Sequence, residues 1–219
     1  MDSSNLENKK IVYTIFIFPL FLTFTMLLVR LFEQETGTSL NDLGVIPRKI
    51  NGLPGIILSP FIHSSGEHLF NNIITFFFLL SAMIHFYDKL SYLIYIIIHI
   101  GTGILLWFIG REASHIGASG VVHGLAAFLF FSGILRKNTQ LMAFSLLITF
   151  LYGSMVWGIF PETVKKGVSW EAHLSGFIVG GIMSILFINK GPQKKQYDWD
   201  ENDEEYEEYE EYEYDIVEK

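Results

Sequence analysis

The stretch Gly117-Ala118-Ser119-Gly120 places a hydroxyl among small residues at the start of an apolar run, residues 119–135. A helix start offers unpaired backbone N–H groups and the positive end of the helix dipole, both of which stabilise an oxyanion. Ser119 is therefore a candidate nucleophile. It is not on a G-x-S-x-G elbow, because Val121 occupies the last glycine position and no strand precedes it. A second apolar run opens with Ala172-His173-Leu174-Ser175-Gly176 and continues to Gly180. Ala172, Gly176 and Gly180 recur every four residues and make a smooth stripe on one helix face, and Gly120 and Gly124 make a shorter one. Such stripes let helix backbones approach closely. Ser119 and His173 each lie next to a member of their stripe. Packing stripe on stripe should bring hydroxyl and imidazole to roughly 3 Å, the reach required of a nucleophile and its general base. A third element is His68-Leu69-Phe70-Asn71-Asn72, whose His68 and Asn72 share a helix face and can both donate hydrogen bonds to an oxyanion. Each feature alone has a plainer reading, as a packing surface or a satisfied helix-end histidine; their combination is specific.

Other chemistries lack their residues. The chain has no cysteine, so disulfides, thiolate zinc sites and cysteine nucleophiles are excluded. It has no H-E-x-x-H, which removes a zinc intramembrane protease. No Asp or Glu falls deep in an expected membrane span, since Glu67, Asp88, Glu112, Glu162 and Glu171 all lie at span ends, which argues against ion-coupled transport and against a diaspartyl protease. Glu171 sits two residues before His173, nearly opposite it on a helix, so no carboxylate completes a triad. The expected unit is a Ser–His dyad with its imidazole held by packing. No metal, cofactor or nucleic-acid partner is expected.

The elements that position these groups are membrane spans. Half of the 219 residues are hydrophobic and only 17% are charged, too little polar material to cover a soluble domain of this size. Runs long enough for the bilayer core lie at residues 11–29, 69–87, 91–110, 119–135, 140–160 and 170–189, predicting an all-α bundle of six transmembrane helices. The first is not a signal peptide, since Arg30-Leu31-Phe32 follows it rather than a small-residue cleavage site. Even-numbered spans run in one direction, and His68/Asn72, Ser119 and His173 each begin an even-numbered span. All therefore fall on one face of the membrane at similar depth. Lysine and arginine near the span ends favour both termini inside, with residues 1–10 cytoplasmic and residues 11–189 as the catalytic core. Residues 31–67 form a long first loop rich in proline and glycine. Residues 190–219 form a tail: from 196 onward it holds 13 acids and one lysine, a net charge of −12 that leaves the body at +4. Such a composition cannot bury a core and reads as disordered.

At these residues the sequence resembles the rhomboid family of intramembrane serine proteases over about residues 44–185. The marks are His63…His68-x-x-x-Asn72, Gly117-x-Ser119-Gly120 and Ala172-His173-x-x-Gly176-x-x-x-Gly180. The resemblance implies peptide-bond hydrolysis in the bilayer of a bacterial inner membrane, on single transmembrane-helix protein substrates. It implies that Ser119 attacks, that His173 takes its proton, and that His68, Asn72 and the Ser119 N–H hold the oxyanion. Gly117 supports the motif, and His63 resembles a family position beside the cavity that supplies water. Two departures stand out. The Trp-Arg pair of many relatives is missing from the first loop, where Gly55-Ile56-Ile57-Leu58-Ser59-Pro60-Phe61 stands. The aromatic that often stacks on the base is replaced by His123, which could stack on His173, bond Ser119 as a competing base, or merely pack. His85 and His99 read as satisfied core groups, and His115 as a possible flank of the site entrance. The nearest rival is a catalytically inactive rhomboid-like chaperone.

Overall fold

The computed structural model describes residues 3–151, 158–162 and 167–193. Among these, every regular element is helical. In chain order they are α1 (Ser3–Thr36), α2 (Gly55–Leu58), α3 (Gly66–Tyr87), α4 (Leu90–Ile109), α5 (Ser119–Leu135), α6 (Thr139–Leu151) and α7 (Trp170–Leu186). Three 3₁₀ turns punctuate the first loop, at Asn41–Leu43, Ile50–Gly52 and Ser59–Phe61.

Local chemistry sets the helix starts that matter. Ser65 accepts from His68 N–H at 3.1 Å and Ser169 from Ala172 N–H at 3.2 Å. Each satisfies one of the first-turn donors, and Glu67 and Glu171 add a negative charge in the same turns. α5 has no such side-chain cap. Its entry is made by Gly117 at φ +103°, a backbone conformation cheap only for glycine.

α5 forms the centre of the bundle, touching α3, α4, α6 and α7. Val121, Leu125, Phe128 and Leu129 of α5 are buried against Phe76, Leu79 and Met83 of α3 and Ile94 and Ile98 of α4. Phe16, Ile17, Phe21 and Phe24 of α1 instead stay exposed, as a surface facing hydrocarbon would be. Three helices, Tyr13–Thr36, Gly66–Tyr87 and Leu90–Ile109, are long and apolar enough to cross a membrane. α5 and α7, at 17 residues each, reach about 26 Å at 1.5 Å per residue. The expected fifth span, residues 140–160, is described as helix only to Leu151, and the acidic tail from 194 lies outside the described residues.

Two expectations need correction. α1 runs to Thr36, so residues 31–36 of the expected loop are helical. Glu33 is therefore a helical, buried carboxylate; it is paired with Arg30 at 3.5 Å and accepts from Leu40 N–H at 2.9 Å. His85 is exposed rather than in the core, because it falls on the outward face of the last turn of α3.

Candidate active site

α5 and α7 meet backbone to backbone. A Cβ added to Gly176 would lie 1.8 Å from Gly120 O, and one added to Gly180 would lie 2.0 Å from Gly124 O. Only glycine allows that approach. The contact sets the first turns of the two helices side by side, and Ser119 Oγ lies 2.8 Å from His173 Nε2. On the far side of the ring, Nδ1–H donates to Gly158 O at 2.8 Å, since a carbonyl can only accept. That bond leaves the Nε2 lone pair facing the hydroxyl.

His123, one turn into α5, lies flat on His173 with ring centroids 4.1 Å apart and an interplanar angle of 8°. Its Nδ1–H donates to the backbone oxygen of Ser119 at 2.7 Å, so the ring is itself held by the turn that carries the serine. His68 packs over Gly117: a Cβ there would meet His68 Cε1 at 2.7 Å and Nε2 at 2.9 Å. Gly117 thus serves both a left-handed turn and a close approach. Ser64 Oγ lies 3.3 Å from His68 Nδ1, and His68 Nε2 faces the Gly117 turn. Asn72 is buried and donates one amide N–H to His68 O at 3.0 Å, which orients the side chain.

His63 lies behind the turn, with its ring edge-on to His68 at 5.1 Å. Burial, reinforced by neighbouring His68, pulls His63 down to about 3. The ring is neutral, and its Nε2 accepts from Ala118 N–H at 3.4 Å. Gly117 N–H donates to Ser59 O at 2.8 Å, so the first loop grips the two residues before the serine. A cavity of about 1040 Å³ leads down to Ser119, its lining including the polar residues Ser64, His68, Asn71, Arg111 and Ser169.

The anchoring of the first loop gave no signal in the sequence. Arg48 donates to Phe108 O at 3.1 Å and Gly110 O at 2.9 Å, and its own N–H to Trp107 O at 3.0 Å. Trp107 Nε1 donates back to Lys49 O at 3.0 Å. A tryptophan and an arginine thus fasten the loop from opposite sides of the contact, 59 residues apart in sequence rather than adjacent. Val45 and His115 exchange two backbone bonds at 2.9 Å, and His99 Nε2–H donates to Ile57 O at 3.1 Å. His115 is buried at the cavity wall, with Nδ1 2.6 Å from Ser169 Oγ. Burial holds it below the ordinary histidine value, opposed by its bond to Arg111 O and the charge of Glu171. Among the described residues no cluster of ligating side chains could hold a metal ion.

A bundle of apolar helices with this clustering of serine, histidine and asparagine at one end belongs to a known class. The family profile described as Rhomboid domain matches residues 51–190. An uncharacterized protein of Mycobacterium tuberculosis is 33% identical over 188 residues, covering 80% of this chain and 75% of its own. One of Mycobacterium leprae is 32% identical over 186 residues, covering 80% and 72%. A protein of Acanthamoeba polyphaga mimivirus, named as a rhomboid protein, is 29% identical over 138 residues, covering 60% and 73%. The chain belongs to the rhomboid family and is a membrane protein.

Proposed function

We propose that this chain is an intramembrane serine endopeptidase that cleaves transmembrane-helix protein substrates with a Ser119–His173 dyad. Its core, residues 11–189, crosses a bacterial inner membrane six times with both termini inside. The observation that carries this reading is the 2.8 Å contact of Ser119 Oγ with a histidine whose other nitrogen is already committed to Gly158 O.

In this reading Ser119 Oγ attacks the scissile carbonyl carbon as its proton passes to His173 Nε2. The Gly158 carbonyl does the orienting work of a triad acid: it fixes the tautomer and favours the imidazolium that forms. The His123 face, stacked on the ring at 4.1 Å, prevents it from rotating. Negative charge developing on the substrate oxygen meets the Ser119 N–H at the start of α5, His68 Nε2–H and the second amide N–H of Asn72. His173 then protonates the leaving amine, and later draws a proton from a water that enters through the polar cavity and hydrolyses the acyl-enzyme.

A fluorophosphonate probe should label Ser119 in the liposome-reconstituted wild type, and a single-span substrate should be cut. Ser119→Ala and His173→Ala should each abolish cutting. Cleavage by well-folded Ser119→Ala would overturn the assignment, and an unreactive wild-type serine would favour an inactive, chaperone-like family member.

A further inference from the structure

Two residues before the base, Glu171 is 3% exposed, and its carboxylate meets Arg111 of the α4–α5 loop and Ser169 of its own helix cap. Both carboxylate oxygens accept from one arm of Arg111, at 3.1 and 3.2 Å, while the other arm donates to Val168 O at 3.0 Å. Ser169 Oγ caps Ala172 N–H at 3.2 Å and lies 3.4 Å from Glu171 Oε2 and 2.6 Å from His115 Nδ1. His115 Nε2–H donates to Arg111 O at 3.0 Å, and its backbone is bonded in both directions to Val45. The first loop, the α4–α5 loop and the first turn of α7 are thereby joined in one closed circuit. A buried carboxylate is tolerated only when paired this fully.

The circuit does not touch the imidazole of the base; it reaches His173 at the backbone, where the N–H donates to Ser169 O at 3.4 Å. The bond to Gly158 O and the stack on His123 fix the rotation of the His173 ring. They do not fix where its Cα stands, which the first turn of α7 decides. Helix ends fray and slide most easily, and His173 is the fourth residue of α7. We propose that Glu171, acting through Arg111 and Ser169, is a positioning residue that holds the His173 Cα at working distance from Ser119. This rests on the dyad reading.

The test uses the full chain in liposomes with Glu171→Gln, Arg111→Met, their double variant and Arg111→Lys. kcat is expressed per serine labelled by the fluorophosphonate at end point, so that misfolded molecules are not counted. Since a misplacement of about 1 Å costs on the order of 100-fold, each single variant should lose roughly 10- to 100-fold in kcat with KM within about twofold. The double variant should be no worse than the singles, and Arg111→Lys should recover part of the loss. Wild-type kcat per labelled serine in both single variants, or a loss confined to KM, would overturn the proposal while leaving the dyad standing. A wild type that does not label at Ser119 would overturn the dyad reading itself.

Discussion

Adding one methyl group at Gly176 should disable the dyad without touching either member. A Cβ at Gly176 would lie 1.8 Å from Gly120 O and 2.8 Å from Gly120 C, whereas real Cβ atoms essentially never come within 3.0 Å of another heavy atom. Both obstacles are backbone, so no side chain can swing aside. The helices must part locally by about 1.2 Å, the shortfall between those two distances. Transmitted to the next turn, that opens the Ser119–His173 contact from 2.8 Å to roughly 4 Å, beyond the approximately 3.2 Å limit for proton transfer. Gly176→Ala should therefore lose about 100-fold or more in cleavage rate, and fluorophosphonate labelling should slow in parallel. Gly180→Ala, one turn deeper and 2.0 Å from Gly124 O, should lose somewhat less at the dyad. Gly181→Ala is the internal control, because its added Cβ meets only Phe131 at an ordinary 3.7 Å, and it should behave as wild type. The assay is cleavage of a single-span substrate in liposomes, with thermal denaturation to show that the variants are folded. A folded Gly176→Ala enzyme at wild-type rate would refute the claim that helix contact sets the dyad distance.

His123→Phe and His123→Tyr should keep most cleavage activity, since either ring offers a flat face to His173, while His123→Ala should fall well below both; equal rates in all three would remove the stacking role. Arg48→Ala or Trp107→Phe should lower the thermal midpoint by several degrees, because each removes hydrogen bonds tying the first loop to α4. Stability should decline as pH falls from about 6.5 towards 3, because buried His63 stays neutral in the fold while the unfolded chain takes up the proton. That group contributes fully above about 6.5, and its contribution erodes by about 1.4 kcal/mol per pH unit below it. His63→Gln should flatten the decline in a melting series over that window, and an unchanged slope would contradict the buried neutral state. Deleting residues 196–219 should leave cleavage in detergent nearly unchanged, as measured by substrate turnover per labelled serine.

What the residues determined by themselves was everything with a local period or a fixed parity. Apolar run length marked the helices, and α5 spans the residues that its run predicted, Ser119–Leu135. Four-residue spacing of Ala172, Gly176 and Gly180 announced a helix contact, and alternation of direction put His68, Ser119 and His173 at one end. The first apolar run ends at residue 29, yet α1 continues to Thr36, where Glu33 pairs with Arg30 and accepts from the Leu40 N–H once the chain folds back. Tertiary structure alone decided which groups hold the histidine and the loops. The acceptor for His173 Nδ1 is the backbone oxygen of Gly158, and every residue carries such an oxygen, so no residue type could flag it. The Arg48–Trp107 fastening and the Arg111–Glu171 pair join residues about sixty positions apart. Their partnership depends on how the first loop and the α4–α5 loop fold against each other, which no periodicity encodes.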